Sequence, residues 1–198
     1  PDLSTSFATT LIITTMLIIS GFKIKNLFLP LTMSLSVVII KVINTPFQYL
    51  RFMNWYNGNY NQQTENSIQA LGNGGILGVG FGKSIIKNGF MPEVHTDFIL
   101  PIIGEEIGFV GILIIFSLYL ILYFYGVHIC KSAPDIFSSM LSIGITINIL
   151  FYFLINASYV VGMLPTTGLP IPFISYGGSQ LLFSFISIGI LMNISKYI

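Results

Sequence analysis

Residues 107–127 read Ile107-Gly-Phe-Val-Gly-Ile-Leu-Ile-Ile-Phe-Ser-Leu-Tyr-Leu-Ile-Leu-Tyr-Phe-Tyr-Gly-Val127. No charge interrupts this run, and a helix that crosses a bilayer needs about 20 mostly apolar residues. The stretch predicts a membrane-spanning helix whose backbone hydrogen bonds close within the segment. Immediately before it stands Glu105-Glu106, preceded by Pro92-Glu-Val-His-Thr-Asp-Phe-Ile-Leu-Pro-Ile-Ile-Gly104. Glu93, Asp97, Glu105 and Glu106 are four of the chain's seven acidic residues. Carboxylates at the lip of an apolar segment are costly to bury and mark a candidate functional site.

The same reading extends along the chain. Charged residues are 8% of the total, against roughly 25% in a soluble domain. Five apolar stretches read as spans, at about 4–22, 27–44, 99–127, 136–161 and 173–195. The predicted fold is all-α, a polytopic transmembrane helical bundle with about five spanning helices. Pro30 and Lys41 lie near the ends of the second span, and Lys41 reads as a snorkelling side chain. A polar segment of about 45–97 separates the second and third spans and is expected to form one large loop. Within it, the Asn-rich residues 54–63 read as turns.

Charge sets orientation and excludes classes. Lys23, Lys25, Lys131 and Lys196 lie in short connections or the tail. The positive-inside rule places those on the cytoplasmic side, and the long 45–97 segment with the acidic cluster on the external side. A net charge of +1 gives no basic footprint for nucleic acid. Cys130 is the single cysteine, which excludes an intrachain disulfide and a cysteine-based zinc site. Beside Lys131 it reads as a small packing residue.

Three motifs stand apart from the spans. The run Gly72-Asn-Gly-Gly-Ile-Leu-Gly-Val-Gly-Phe-Gly-Lys-Ser84 is not a phosphate loop, because Leu77 occupies the position that needs the first glycine. It reads as a loop needing positive φ and close backbone approach. The run Gly162-Met-Leu-Pro-Thr-Thr-Gly-Leu-Pro-Ile-Pro-Phe-Ile-Ser-Tyr-Gly-Gly-Ser179 reads as a broken segment re-entering the membrane. Irregular backbone at that depth must be buried in protein or line a cavity. In the acidic cluster, Thr96 is expected to cap the third spanning helix, placing Asp97 in its first turn, where the helix dipole favours a carboxylate. Such a carboxylate can accept a proton from a hydroxyl; the plain alternative is a capping residue. Glu93 would share Asp97's face if that segment is helical. His95 with these two carboxylates is a thin donor set for a divalent cation and leaves a metal open. Glu105 and Glu106 point about 100° apart on a helix, so one is expected to face the bundle as support. Arg51 and Lys83 read as solvated loop cations or as groups that meet phosphate oxygens.

These motifs resemble the SEDS polymerases, the FtsW/RodA/SpoVE group that builds bacterial peptidoglycan. The resemblance rests on Pro92–Glu106, on Ser67–Gly82, on Gly162–Ser179 and on Ile188-Gly-Ile-Leu-Met-Asn-Ile-Ser195. Asn66, Asn73 and Gln180 replace residues frequent in the family pattern, and the details lean towards the FtsW/SpoVE branch. The chain, which opens at Pro1, is expected to be the C-terminal half of such a membrane domain, with no signal peptide of its own. The resemblance implies a glycosyltransferase that polymerises lipid II at the outer face of the bacterial cytoplasmic membrane. It implies Asp97 as general base, and Glu93, His95, Arg51, Lys83, Ser175, Gly177 and Gly178 as binding or supporting residues. It implies a class B penicillin-binding protein as partner within a division or elongation complex. No cofactor is firmly implied, and a divalent cation stays open. The competing readings are a flippase for the same lipid-linked precursor and a non-catalytic division scaffold. A flippase should place polar groups near the midplane, where the sequence offers Asn148 and Asn156.

Overall fold

The structure, a computed structural model, describes residues 3–86 and 96–198. The described residues form α1 (Leu3–Ile19), α2 (Ile24–Asn44), α3 (Pro46–Tyr56), α4 (Gln62–Gly74), α5 (Ile99–Ser132), α6 (Ile136–Val160) and α7 (Gly178–Ser195), with no strand among them. The all-α membrane fold expected from the sequence is the one observed. α2, α5, α6 and α7 are long and apolar enough to cross a membrane. α1, with 17 residues, is a shorter apolar helix at the lower limit for a span. The chain divides into two compact units, Pro1–Asn59 and Tyr60–Ile198.

The first unit carries α1 to α3. Hydroxyls in its apolar helices bond back to their own backbone, as Thr14 does to Thr10 and Ser36 to Met33. That satisfies polar groups where lipid offers no partner. Pro30 is accommodated inside α2. The 45–97 segment is more ordered than its polar composition suggested, because α3 and α4 both lie in it. Pro46 opens α3 at its first turn, where its missing N–H breaks no bond. Residues 54–56, expected as turns, complete α3. Arg51 therefore sits on a helix, its guanidinium 5.7 Å from the Phe47 ring centroid. The turn proper is 57–61, and Asn61 ends it by accepting the Thr64 N–H at 3.0 Å as N-cap of α4.

The second unit is a bundle of α5, α6 and α7 with α4 at one end. Tyr119 of α5 stacks on Phe153 of α6 with ring centroids 4.1 Å apart. Leu100, Ile149 and Ile171 complete that buried cluster. Gly126 lets α5 approach Thr146 of α6 so closely that any Cβ there would collide with the threonine side chain. Such small-residue contacts bring spanning helices together where lipid gives no hydrophobic drive. At the opposite end from α4, Pro134, Asp135, Ser138, Asn193 and Tyr197 line a cleft.

α5 is not one straight helix. Its 34 residues would extend about 51 Å at 1.5 Å each, well beyond a hydrocarbon core of about 30 Å. The backbone breaks at Gly108 (φ 80°, ψ −170°), where the acid-bearing piece meets the charge-free piece. A break frees backbone donors and acceptors. The glycine-rich run supplies their partners. Phe109 N–H donates to Gly75 O at 2.9 Å and Val110 N–H to Ile76 O at 3.2 Å. In return Val79 N–H reaches Glu105 O at 2.9 Å and Gly80 N–H reaches Glu106 O at 3.0 Å. Gly78 has φ 80°, and a Cβ there would strike the Glu106 carbonyl. From Gly75 onward the run is the close-approach loop that the sequence suggested, while residues 72–74 close α4.

Candidate functional site

Asp97 precedes α5 rather than belonging to it. The helix starts at Ile99 with Phe98 as N-cap, and Phe98 (φ −111°, ψ 29°) is not helical. Thr96 is thus not the cap, and Asp97 lies outside the first turn where the helix dipole would act on it. Pro101, in the first turn of α5, fits this start without losing a hydrogen bond. What fixes Asp97 instead is tertiary. Its carbonyl accepts from Asn156 Nδ2 at 2.9 Å and from the Tyr159 hydroxyl at 2.8 Å. Its carboxylate faces the Pro/Gly segment, since a Cβ built on Gly168 would lie 3.2 Å from Asp97 Oδ2. Asp97 is half-buried, so the acid is neither sealed in the core nor fully in solvent.

The 161–177 segment is non-helical, as its prolines and glycines predicted, and part of it packs inward. Leu169 and Ile171 are fully buried. Four side chains hold its backbone or its neighbours. Asn156 Nδ2 donates to Leu169 O at 2.7 Å, and Tyr119 donates to Pro172 O. Ser175 accepts the Ile171 N–H at 2.8 Å. Ser67 of α4 donates to Val160 O at 2.7 Å, closing the last turn of α6. Between the Pro172 and Ser175 anchors, Phe173 adopts φ 68°. A bulky residue rarely holds this conformation and does so only where its surroundings over-determine it. Gly177 is the N-cap of α7 and Gly178 its first residue.

The remaining candidates separate. Glu105 is fully buried and accepts from Ser84 Oγ and from Asn73 Nδ2 at 3.4 Å, which pins the glycine-rich run to α5. Glu106 is buried as well. Only one of the pair was expected to turn inward, whereas both are buried. Lys83 is exposed at the end of that loop. Glu93 and His95 lie outside the described residues, and among the described residues no three metal-ligating side chains cluster. Ser175 is drawn into the same segment as Gly168, the residue that Asp97 faces. Tyr159 is the site residue that sequence reasoning missed, and Asn156, offered there only as a midplane group for a flippase, holds the Asp97 turn instead. The only signal was a buried-type helix carrying an asparagine that its apolar neighbours do not explain.

Comparison with known proteins agrees with this architecture. A solved chain from a peptidoglycan synthase complex that coordinates polymerization and crosslinking is similar in fold, with a TM-score of 0.73 at 22% identity over 97% of this chain and 55% of that one. Stage V sporulation protein E of Bacillus subtilis is 34% identical over 202 residues, covering 100% of this chain and 55% of that protein. The probable peptidoglycan glycosyltransferase FtsW of the same organism is 39% identical over 215 residues, covering 100% of this chain and 53% of its own length. The chain spans about half the length of the curated relatives it matches. The sequence pattern described as cell cycle protein, FtsW/RodA/SpoVE, matches residues 1–198, and the chain belongs to that family.

Proposed function

We propose that this chain is the C-terminal half of a peptidoglycan glycosyltransferase that polymerises lipid II at the outer face of the cytoplasmic membrane. The observation that carries the reading is the half-buried carboxylate of Asp97, held by its own carbonyl and facing Gly168 at the end of the bundle. Names of relatives support the reaction class. Charge supports the orientation, because Lys131 and Lys196 lie at the opposite end, next to the cleft lined by Pro134, Asp135 and Tyr197.

In this reading the acceptor's GlcNAc 4-hydroxyl oxygen attacks the MurNAc anomeric carbon. The bond to the pyrophosphate oxygen breaks, and undecaprenyl pyrophosphate leaves with the electron pair. The hydroxyl proton passes to Asp97, and attack opposite the leaving group inverts the centre. Arg51 and Lys83 are the cations proposed to meet the pyrophosphate, where negative charge develops. Glu93 and His95 are proposed to support Asp97, and Ser175, Gly177 and Gly178 to shape the segment beside it. A class B penicillin-binding protein, in a division or elongation complex, would crosslink the product. The metal question is read from the same assay with and without a chelator.

The test is polymerisation of labelled lipid II by the full-length protein. Asp97→Asn should lower turnover by about 10²- to 10⁴-fold, the range of a lost general base. Near-wild-type glycan output from a folded variant would sink the assignment. Of the two midplane residues that a flippase would use, Asn148 is exposed and Asn156 is engaged with Asp97 and Leu169 one turn from the end of α6. That arrangement favours surface chemistry over translocation.

A further inference from the structure

We propose that Asn156 is a positioning residue, setting the distance between the turn that carries Asp97 and the Pro/Gly segment that Asp97 faces. The inference rests on the reading of Asp97 as the base. Asn156 is fully buried near the end of α6. Its Nδ2 lies 2.9 Å from Asp97 O, 2.7 Å from Leu169 O and 2.7 Å from the Tyr159 hydroxyl oxygen. A carboxamide has two N–H groups in one plane. Assigned to the two carbonyls, they join segments that are 59 and 13 residues away in the chain. Tyr159 donates its own proton to Asp97 O, doubling the hold on that turn.

The orientation of the amide follows from its surroundings. Both neighbours are carbonyl acceptors, so only the NH₂ side can face them. The consequence is that Asn156 Oδ1 is buried with no hydrogen-bond partner among the described residues. A spanning helix under selection for packing alone would not keep a polar side chain so placed. An orphaned acceptor is tolerated here because the two donors are needed where they are. Tyr159 is itself fixed, edge to face with Phe98 at 5.6 Å, the residue after Asp97. The carboxylate of Asp97 is thereby oriented through its backbone.

The test uses full-length protein in proteoliposomes with lipid II. Asn156→Leu keeps the branched shape of the side chain and removes both donors. It should lower kcat by about 10- to 100-fold, the effect of misplacing a reacting group by about an ångström. The KM for lipid II should stay within about twofold, since ground-state binding is unaltered. Tyr159→Phe removes one donor and keeps the ring; kcat should fall about threefold to tenfold at unchanged KM. This second variant decides the matter if the first does not fold. Asp97→Asn is run in parallel. An inactive Asp97→Asn with wild-type kcat in Tyr159→Phe and in any folded Asn156→Leu overturns the positioning role alone. A fully active Asp97→Asn overturns the base assignment, and this inference with it.

Discussion

At the scale of single residues, Gly168 shows how near the Pro/Gly segment comes to the Asp97 carboxylate. Its φ of 72° suits glycine, and any Cβ would stand 3.2 Å from Asp97 Oδ2. Gly168→Ala is expected to cost about 1–2 kcal/mol of stability from the left-handed backbone alone. Turnover of lipid II should fall by more than that stability loss explains, because the new methyl group displaces the carboxylate. Thermal unfolding and polymerisation of the full-length variant check the two parts separately. Asp97 itself was legible from its motif, but its surroundings were not. Thr96 suggested a helix cap with Asp97 in the first turn, whereas the contacts that hold Asp97 come from Asn156 and Tyr159, 59 and 62 residues away. No local pattern reports a bond across that separation.

Among elements, the spans were readable to within about five residues, because uninterrupted apolar length outweighs any local preference. α6 was expected at about 136–161 and runs Ile136–Val160. The helices hidden in the polar segment were missed for the opposite reason. α3 and α4 depend on short capping signals, Pro46 and Asn61, inside a composition that favours turns. The glycine-rich loop belongs to this scale too. Gly78→Ala should destabilise the full-length protein by at least about 2 kcal/mol, since it combines a positive φ with a backbone collision; chemical unfolding measures it. At the other end of the unit, Asp135 caps α6 by accepting from Ser138 N at 2.8 Å and Ser138 Oγ at 2.7 Å. Those bonds hold its carboxyl below the ordinary carboxylate range. A depressed folded-state value stabilises above the unfolded pKa and is lost as pH falls through the folded one. The thermal midpoints of wild type and Asp135→Ala should differ near neutral pH and converge in acid.

For the whole molecule, the proposed orientation is open to direct labelling. Cys130, half-buried and the one thiol of this chain, is replaced by Ser together with any cysteine elsewhere in the full-length protein. In that background, Asn57→Cys should react with an impermeant maleimide in intact cells. Lys196→Cys, exposed in the C-terminal tail, should react only after permeabilisation. The reverse pattern would overturn the orientation and, with it, the external placement of Asp97. Family and fold were legible as a whole because several motifs occur in one order along a strongly apolar chain. The geometry joining those motifs needed the coordinates.

The exchange of partners at Gly108 has a kinetic corollary. Val79, Gly80, Phe109 and Val110 each donate across the junction between loop and broken helix. Opening one of them strips a backbone group of its partner and strains the neighbouring bonds. The four amides should therefore exchange with deuterium as one cooperative unit, with a shared opening free energy. Gly78→Ala should accelerate all four together, while amides in the middle of α6 keep their protection. The glycine-rich loop and the outer piece of α5 would then be a single moving part, able to shift against the rest only in concert.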